Sequence, residues 1–223
     1  MRKKDYLLSY LYPVTIEQTE SLWNPVLEVV LYGGRYLLNS ANANYSQGSL
    51  FTMFKRLFRK LKIEWPAIKD VLILGFGTGS VAEIIRRYNP ACVIEGVEID
   101  EKVIELGRKY FHTGRLKDVT VYCDNAARFI GECMKKYDLI VIDVYLDLDV
   151  PEEAESEEFL INVRNSLRPG GMVVFNKYIN SRKSRESVSL LKELYNKVFG
   201  NLEIMNIMTT GKIFIAKKSL LSG

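Results

Sequence analysis

A glycine-rich loop stands between a short apolar run and a segment of helical spacing. Residues 71–74, Val-Leu-Ile-Leu, are typical of a buried parallel strand, and Gly75, Gly77 and Gly79 follow within the sequence Gly-Phe-Gly-Thr-Gly. Glycine lets the backbone turn tightly and approach a ligand where a Cβ would intrude. Apolar positions recur at helical spacing over residues 80–88, so the free N–H groups of the loop open a helix. This order of elements points to an adenosine-containing cofactor.

Acidic residues follow the next two predicted strands. Glu98 ends the strand over residues 91–98, about 20 residues after the glycine loop, where a carboxylate can accept both hydroxyls of a ribose. Asp124 follows the third strand and could accept the exocyclic amine of an adenine, with the backbone of Asn125 as its neighbour. The alternative, which can coexist, is that Asp124 caps the helix beginning at residue 125. The predicted cofactor contacts are therefore Gly75, Gly77, Thr78, Gly79, Glu98, Ile99, Asp124 and Asn125.

Strands and helices alternate from residue 70 onward. The predicted strands lie near 70–75, 92–98, 118–123, 138–143, 171–177, 202–208 and 212–217, and the predicted helices near 79–88, 101–110, 125–135, 153–167 and 183–199. Such alternation requires right-handed crossovers and a mainly parallel sheet with helices on both faces. Residues 209–211 are too few for a helical crossover. The expected fold class is α/β, a Rossmann-like sheet of seven strands whose last strand is antiparallel.

The N-terminal part has a different pattern. Residues 26–40 predict a β-hairpin around Gly33 and Gly34, and residues 48–62 predict an amphipathic helix that ends before Trp65-Pro66. We therefore expect a hairpin-and-helix appendage over residues 1–66 and a nucleoside-binding domain over residues 67–223.

Composition excludes several classes of protein. With 48% hydrophobic and 26% charged residues, the chain has the balance of a globular protein. Neither a signal peptide nor an apolar run of about 20 residues is present, so we expect a cytoplasmic protein without a membrane anchor. A net charge of +4 does not favour nucleic-acid binding. The three scattered cysteines suggest neither a disulfide framework nor a metal site.

The fourth predicted strand, near residues 138–143, ends on Asp143. A partly desolvated carboxylate there could accept a proton from an attacking amine or hydroxyl, or hold a cationic substrate, so Asp143 is the candidate general base. The alternative is a bond from Asp143 to the backbone of its own loop. The glutamates that follow favour the start of the next helix through its dipole, which leaves Tyr145 as a catalytic candidate and Asp147 as a substrate contact.

Taken with these motifs, the chain resembles the spermidine synthases and spermidine synthase-like proteins, a branch of the class I S-adenosylmethionine-dependent fold. The shared segments are Tyr-Ser-Gln-Gly-Ser-Leu at 45–50, the glycine loop, Val-Glu-Ile-Asp at 97–100, Cys-Asp at 123–124, residues 137–143 and Leu-Arg-Pro-Gly-Gly at 167–171. The resemblance implies that Glu98 binds ribose, that Asp124 binds adenine and that Asp143 deprotonates and orients an attacking amine. It adds Gln47 and Asn176 as substrate contacts.

Departures from the family pattern affect the predicted reaction. Thr78 stands where these enzymes carry an acidic residue that helps bind the amine, and Asn176 stands where a glutamine is common. We therefore favour methyl transfer from S-adenosylmethionine to a small nucleophile, with no metal. Aminopropyl transfer from decarboxylated S-adenosylmethionine to a diamine is the alternative, and a non-catalytic nucleoside-binding protein is a third interpretation. The hairpin and the Phe-rich helix are candidate surfaces for a homodimer, although burial within one chain explains them equally well.

Overall fold

Two β-sheets and the helices that cover them make up the part of the chain that the computed structural model describes, residues 3–41, 44–46, 48–146, 149–208 and 211–220. In chain order the elements are α1 (Lys3–Leu8), β1 (Val14–Thr19), β2 (Leu27–Tyr32), β3 (Arg35–Ser40), β4 (Asn44–Ser46), α2 (Gly48–Lys60), β5 (Asp70–Leu74), α3 (Ser80–Tyr88), β6 (Val93–Glu98), α4 (Glu101–Tyr110), β7 (Val119–Cys123), α5 (Ala126–Glu132), β8 (Tyr137–Ile142), α6 (Glu157–Ser166), β9 (Leu167–Tyr178), α7 (Arg182–Phe199), β10 (Glu203–Met208) and β11 (Gly211–Lys217).

The larger sheet confirms the predicted fold class. Its strand order is β10-β11-β9-β8-β5-β6-β7, and β5 to β9 pair in parallel. Strand β11 runs antiparallel to both of its neighbours, as the short connection before it predicts. The order reverses between β5 and β8, which pair directly. Ligands of open parallel sheets bind outside the carboxyl ends of the strands at such a reversal.

Alternate residues of the central strands pack into two separate cores, because successive side chains of a strand point to opposite faces. Leu72 packs on one face with residues of α5, α6 and α7, while Val71 and Ile73 pack on the other with Phe54 and Phe58 of α2. Full burial of each such side chain contributes about 1.5–3 kcal/mol. In the described part of the chain, no helix is both long enough and apolar enough to cross a bilayer.

The predicted hairpin is present as β2 and β3, and it forms the middle of a four-stranded antiparallel sheet within the described residues. Strands β1 and β4 flank it, and neither was predicted. β1 reads Val-Thr-Ile-Glu-Gln-Thr and buries none of its residues fully, so it lacks the apolar signal of a strand. Leu27, Val29 and Leu38 of this sheet pack against Val103 and Leu106 of α4.

Three elements have boundaries that differ from the prediction by three residues or more. The helix predicted over 153–167 is a 3-10 turn at Glu152–Glu155 followed by α6, because the Ser156 hydroxyl caps α6 by accepting the N–H of Phe159 at 3.1 Å. Helix α5 stops at Glu132 and β9 starts early, at Leu167. The division of the chain at residue 66 stays a prediction. Helix α2 lies before that residue and shares an apolar core with β5, which lies after it.

Candidate active site

The glycine loop and the segment after β8 touch each other at the reversal of strand order. Gly75 and Gly79 have φ +83° and Gly77 has φ +54°, a region that favours glycine. A Cβ on Gly75 would lie 2.1 Å from the backbone oxygen of Asp143. The Asp143 N–H also donates to the carbonyl of Leu74 at 2.8 Å. The predicted cofactor loop and the predicted base are thus brought together.

Glu98 closes the far side of the glycine loop. Its side-chain oxygens accept the N–H of Gly77 at 2.8 Å and the N–H of Asp100 at 3.1 Å, and the residue is 5% exposed. Burial raises the pKa of Glu98 to about 7, against the opposing effect of these N–H groups. Each carboxylate oxygen can accept a further bond, so two ribose hydroxyls fit its chemistry. Ile99 follows directly at the end of β6, and Thr78 is buried in the loop.

Asp124 and Asn125 lie beside Glu98, since the Asp124 N–H donates to the Glu98 carbonyl at 3.0 Å. The Asp124 carboxylate accepts the Asn125 N–H at 2.6 Å and pairs with Arg128. Asn125, rather than Asp124, is the cap of α5, because its side-chain oxygen accepts the N–H groups of Ala127 and Arg128 at 2.8 and 3.0 Å. The capping alternative raised for Asp124 therefore belongs to its neighbour.

Asp143 is held by a strand on its other side. The Asn176 amide nitrogen of β9 donates to the Asp143 carboxylate at 2.9 Å. Burial raises the pKa of Asp143 to about 6, and the Asn176 bond opposes that shift by favouring the charged form. A carboxylate with this pKa is mostly ionised at neutral pH and can still accept a proton from a nearby amine.

Tyr145 is fixed by the same strand. Its hydroxyl donates to the Asn176 carbonyl at 2.7 Å and accepts the Tyr178 N–H at 3.0 Å. Burial raises its pKa well above the ordinary value, so the hydroxyl stays protonated. This arrangement favours a positioning role for Tyr145, which ties the segment after Asp143 to β9. The predicted substrate contacts Gln47 and Asp147 lie outside the described residues.

Asp100 connects this site to the N-terminal sheet. One of its oxygens accepts the N–H of Lys102 at 2.9 Å and caps α4, while the other accepts from Ser21 at 2.5 Å and from Asn24 at 2.7 Å. Sequence reasoning did not single out these three contacts. An aspartate directly before helical spacing signals the cap. Nothing local in the sequence signals its bonds to Ser21 and Asn24, which lie 79 and 76 residues away.

Comparison with known proteins gives this arrangement a family. The model of the spermine/spermidine synthase domain matches residues 60–214, which include the glycine loop, Glu98, Asp124, Asp143 and Asn176. The chain belongs to the spermine/spermidine synthase family. The resemblance stated from the sequence motifs is therefore confirmed.

Curated relatives carry related names. A protein of Bifidobacterium longum named probable polyamine aminopropyl transferase is 36% identical over 160 residues, which are 69% of this chain and 35% of that protein. A polyamine aminopropyltransferase of Alkaliphilus metalliredigens is 32% identical over 145 residues, which are 62% of this chain and 51% of that protein. The chain thus spans between a third and about half of the length of these relatives.

A solved structure shows the same fold. The crystal structure of spermidine synthase from Thermotoga maritima aligns with a TM-score of 0.75 at 18% sequence identity. The alignment covers 92% of this chain and 73% of that one. The described N-terminal sheet and the seven-stranded sheet therefore belong to an architecture known from spermidine synthases.

Proposed function

We propose that this protein transfers an aminopropyl group from decarboxylated S-adenosylmethionine to a small amine. One observation carries the proposal: the backbone of Asp143 touches the glycine loop while Asn176 holds its half-buried carboxylate, in a chain of the spermine/spermidine synthase family. The names of the relatives from Bifidobacterium longum and Alkaliphilus metalliredigens support aminopropyl transfer. They favour aminopropyl transfer, the alternative drawn from the sequence, over methyl transfer, the reaction that the departures from the family pattern favoured.

The preference for methyl transfer depended on Thr78. This side chain is 2% exposed and neutral, and it stands where an acidic residue of the family helps bind the amine. The loss of one carboxylate reduces the attraction for a dication. Asp143, whose backbone touches the same loop, supplies a half-buried carboxylate, and a carboxylate attracts a cationic amine. Thr78 therefore bears on which amine is accepted more than on which group is transferred.

The proposed chemistry asks the chain mainly for positioning. The amine nitrogen forms a bond to the carbon next to the sulfonium, the carbon–sulfur bond breaks, and methylthioadenosine leaves with that electron pair. Glu98 and Asp124 would hold the ribose and adenine, so that the reacting carbon lies near Asp143. The Asp143 carboxylate would take the proton that the nitrogen loses. No step requires a metal ion.

Calorimetric titration tests the proposal. The purified protein is titrated with S-adenosylmethionine, decarboxylated S-adenosylmethionine, S-adenosylhomocysteine and methylthioadenosine, each with and without putrescine. We expect decarboxylated S-adenosylmethionine to bind more tightly than S-adenosylmethionine, and methylthioadenosine more tightly than S-adenosylhomocysteine, with affinity increased by putrescine. Preference for S-adenosylmethionine and S-adenosylhomocysteine would indicate methyl transfer, and absence of binding would favour a non-catalytic protein. A cytoplasmic location and a homodimer stay predictions.

A further inference from the structure

A largely buried ion pair involves β9 one residue after Asn176, which bonds to the proposed base, and is not part of the nucleoside site. Lys177 of β9 places its Nζ 2.6 Å from the Oε1 of Glu155, the last residue of the 3-10 turn before α6. Their side chains are 4% and 16% exposed. Ala154, which precedes Glu155, and Phe175, which precedes Asn176, are both buried in the apolar core that contains residues of α5, α6 and α7.

Stability does not explain this pair. An ion pair buried among apolar residues is often no more stabilising than apolar residues of the same volume, because both charges lose water. The pair is also incompletely bonded among the described residues, since neither Glu155 Oε1, apart from its ion pair with Lys177, nor the buried Tyr195 hydroxyl, which the Glu155 charge reaches, has a hydrogen-bond partner there. A lysine and a glutamate at these positions therefore call for a role other than net stabilisation.

The position of the pair indicates that role. Three consecutive residues of β9 hold three residues of the β8–α6 connection: the Asn176 side chain holds Asp143, the backbone of Asn176 and Tyr178 holds the Tyr145 hydroxyl, and Lys177 holds Glu155. The first two contacts fix the beginning of the connection and the ion pair fixes its end. The backbone bonds of the 3-10 turn that Glu155 closes are short-range, the N–H groups of Ala154 and Ser156 donating to the carbonyls of Pro151 and Glu153 at 3.0 and 3.2 Å. Its other long-range bonds, from Lys183 to Glu152 and from Asn125 to Glu153, are exposed.

We propose that Lys177 and Glu155 are positioning residues for the amine acceptor. Their ion pair fixes the end of the β8–α6 connection on β9 and so keeps the connection, which begins at Asp143, in the position that orients the amine. The expected effect on the kinetics of the amine rests on the proposed aminopropyl transfer. The expected effect on amide exchange in the 3-10 turn rests on the structure alone. The pair acts through the connection rather than through its charge, because burial and the Asn176 bond account for the shifted pKa of Asp143.

The test replaces both charges by apolar side chains of similar volume, in the double variant Lys177→Met/Glu155→Leu. Two readouts are taken on the full chain: hydrogen exchange of the Ala154 and Ser156 amides, and steady-state kinetics with decarboxylated S-adenosylmethionine and putrescine. We expect faster exchange at both amides and a kcat/KM for the amine lower by about tenfold to 100-fold, the loss that misplacement of reacting groups produces. We also expect unchanged donor affinity, an unchanged pH limb for Asp143 and a melting temperature at or above that of the wild type.

A matched control comes from the same connection. Lys183 and Glu152 form an ion pair at 2.8 Å whose side chains are 82% and 86% exposed, so Lys183→Met/Glu152→Met should change neither readout. Unchanged amide exchange in the Lys177/Glu155 variant would overturn the inference whichever reaction the protein catalyses. So would a loss of activity that merely follows a loss of melting temperature. If the wild type transfers no aminopropyl group, the proposed function fails while the exchange result still decides the inference.

Discussion

The close approach of Gly75 to Asp143 predicts an unusually large cost for the smallest substitution in the glycine loop, Gly75→Ala. The new Cβ would lie 2.1 Å from the Asp143 oxygen and 2.5 Å from its carbonyl carbon, and both are backbone atoms that cannot rotate away. A left-handed backbone costs a non-glycine residue about 1–2 kcal/mol. Overpacking adds about 1–3 kcal/mol. The free energy of unfolding should therefore fall by about 2–5 kcal/mol.

Gly200→Ala separates the two terms. Gly200 ends α7 with φ +71° and has open space around its Cα, so alanine there meets the backbone cost without a clash. Urea denaturation of both variants should show Gly75→Ala to be less stable than Gly200→Ala by about 1–3 kcal/mol. Gly75→Ala should also transfer more slowly, because the clash moves the Asp143 backbone. Equal loss of stability in the two variants would refute the contact between the glycine loop and the segment that carries the base.

Substitutions at three further residues of the site have expected outcomes. Asn176→Ala removes a bond that favours the charged form of Asp143, so the apparent pKa of the acidic limb of kcat/KM, expected near 6, should rise. An unchanged limb would contradict the assignment of the base. Glu98→Gln should weaken nucleoside binding in calorimetry by about tenfold to 100-fold, from the loss of charge-assisted bonds. Burial raises the pKa of Glu98 from 4.5 to about 7, so its contribution to stability is present below pH 4.5 and is lost as the pH rises through about 7. The stability of the wild type relative to Glu98→Gln should therefore fall between pH 4.5 and about 7. A constant difference would show that the pKa is not raised. Asn125→Ala should lower the unfolding free energy by about 1 kcal/mol through loss of the α5 cap, and no loss would remove the cap assignment.

Local sequence signals predicted much of the fold. The apolar run before Gly75 and the helical spacing after it identified β5 and α3, and the short connection before residue 211 identified the antiparallel β11. These features depend on residues close together in the chain. Strand β1 escaped prediction because its residues are mixed in polarity, and its place is set by pairing with β2, which no local pattern records.

The positions of three candidate site residues were predictable because each stands at the end of a strand. Glu98, Asp124 and Asp143 were predicted on that ground, and the structure places them along the carboxyl edge of the same sheet. The contacts that orient them were not predictable. The bond from Asn176 to Asp143 joins residues 33 positions apart, and the pair of Lys177 with Glu155 depends on how α6 and β9 lie together.

The most direct test of the account is the product formed by the wild type and by Asp143→Asn with decarboxylated S-adenosylmethionine and putrescine, detected by mass spectrometry. We expect equal amounts of methylthioadenosine and an aminopropylated amine from the wild type. Asp143→Asn should lose turnover with nucleoside affinity largely kept, because Asp143 is proposed to bind the amine and take its proton. Undiminished turnover in Asp143→Asn would contradict the assignment of the base, and a methylated amine formed when S-adenosylmethionine replaces the decarboxylated donor would contradict aminopropyl transfer.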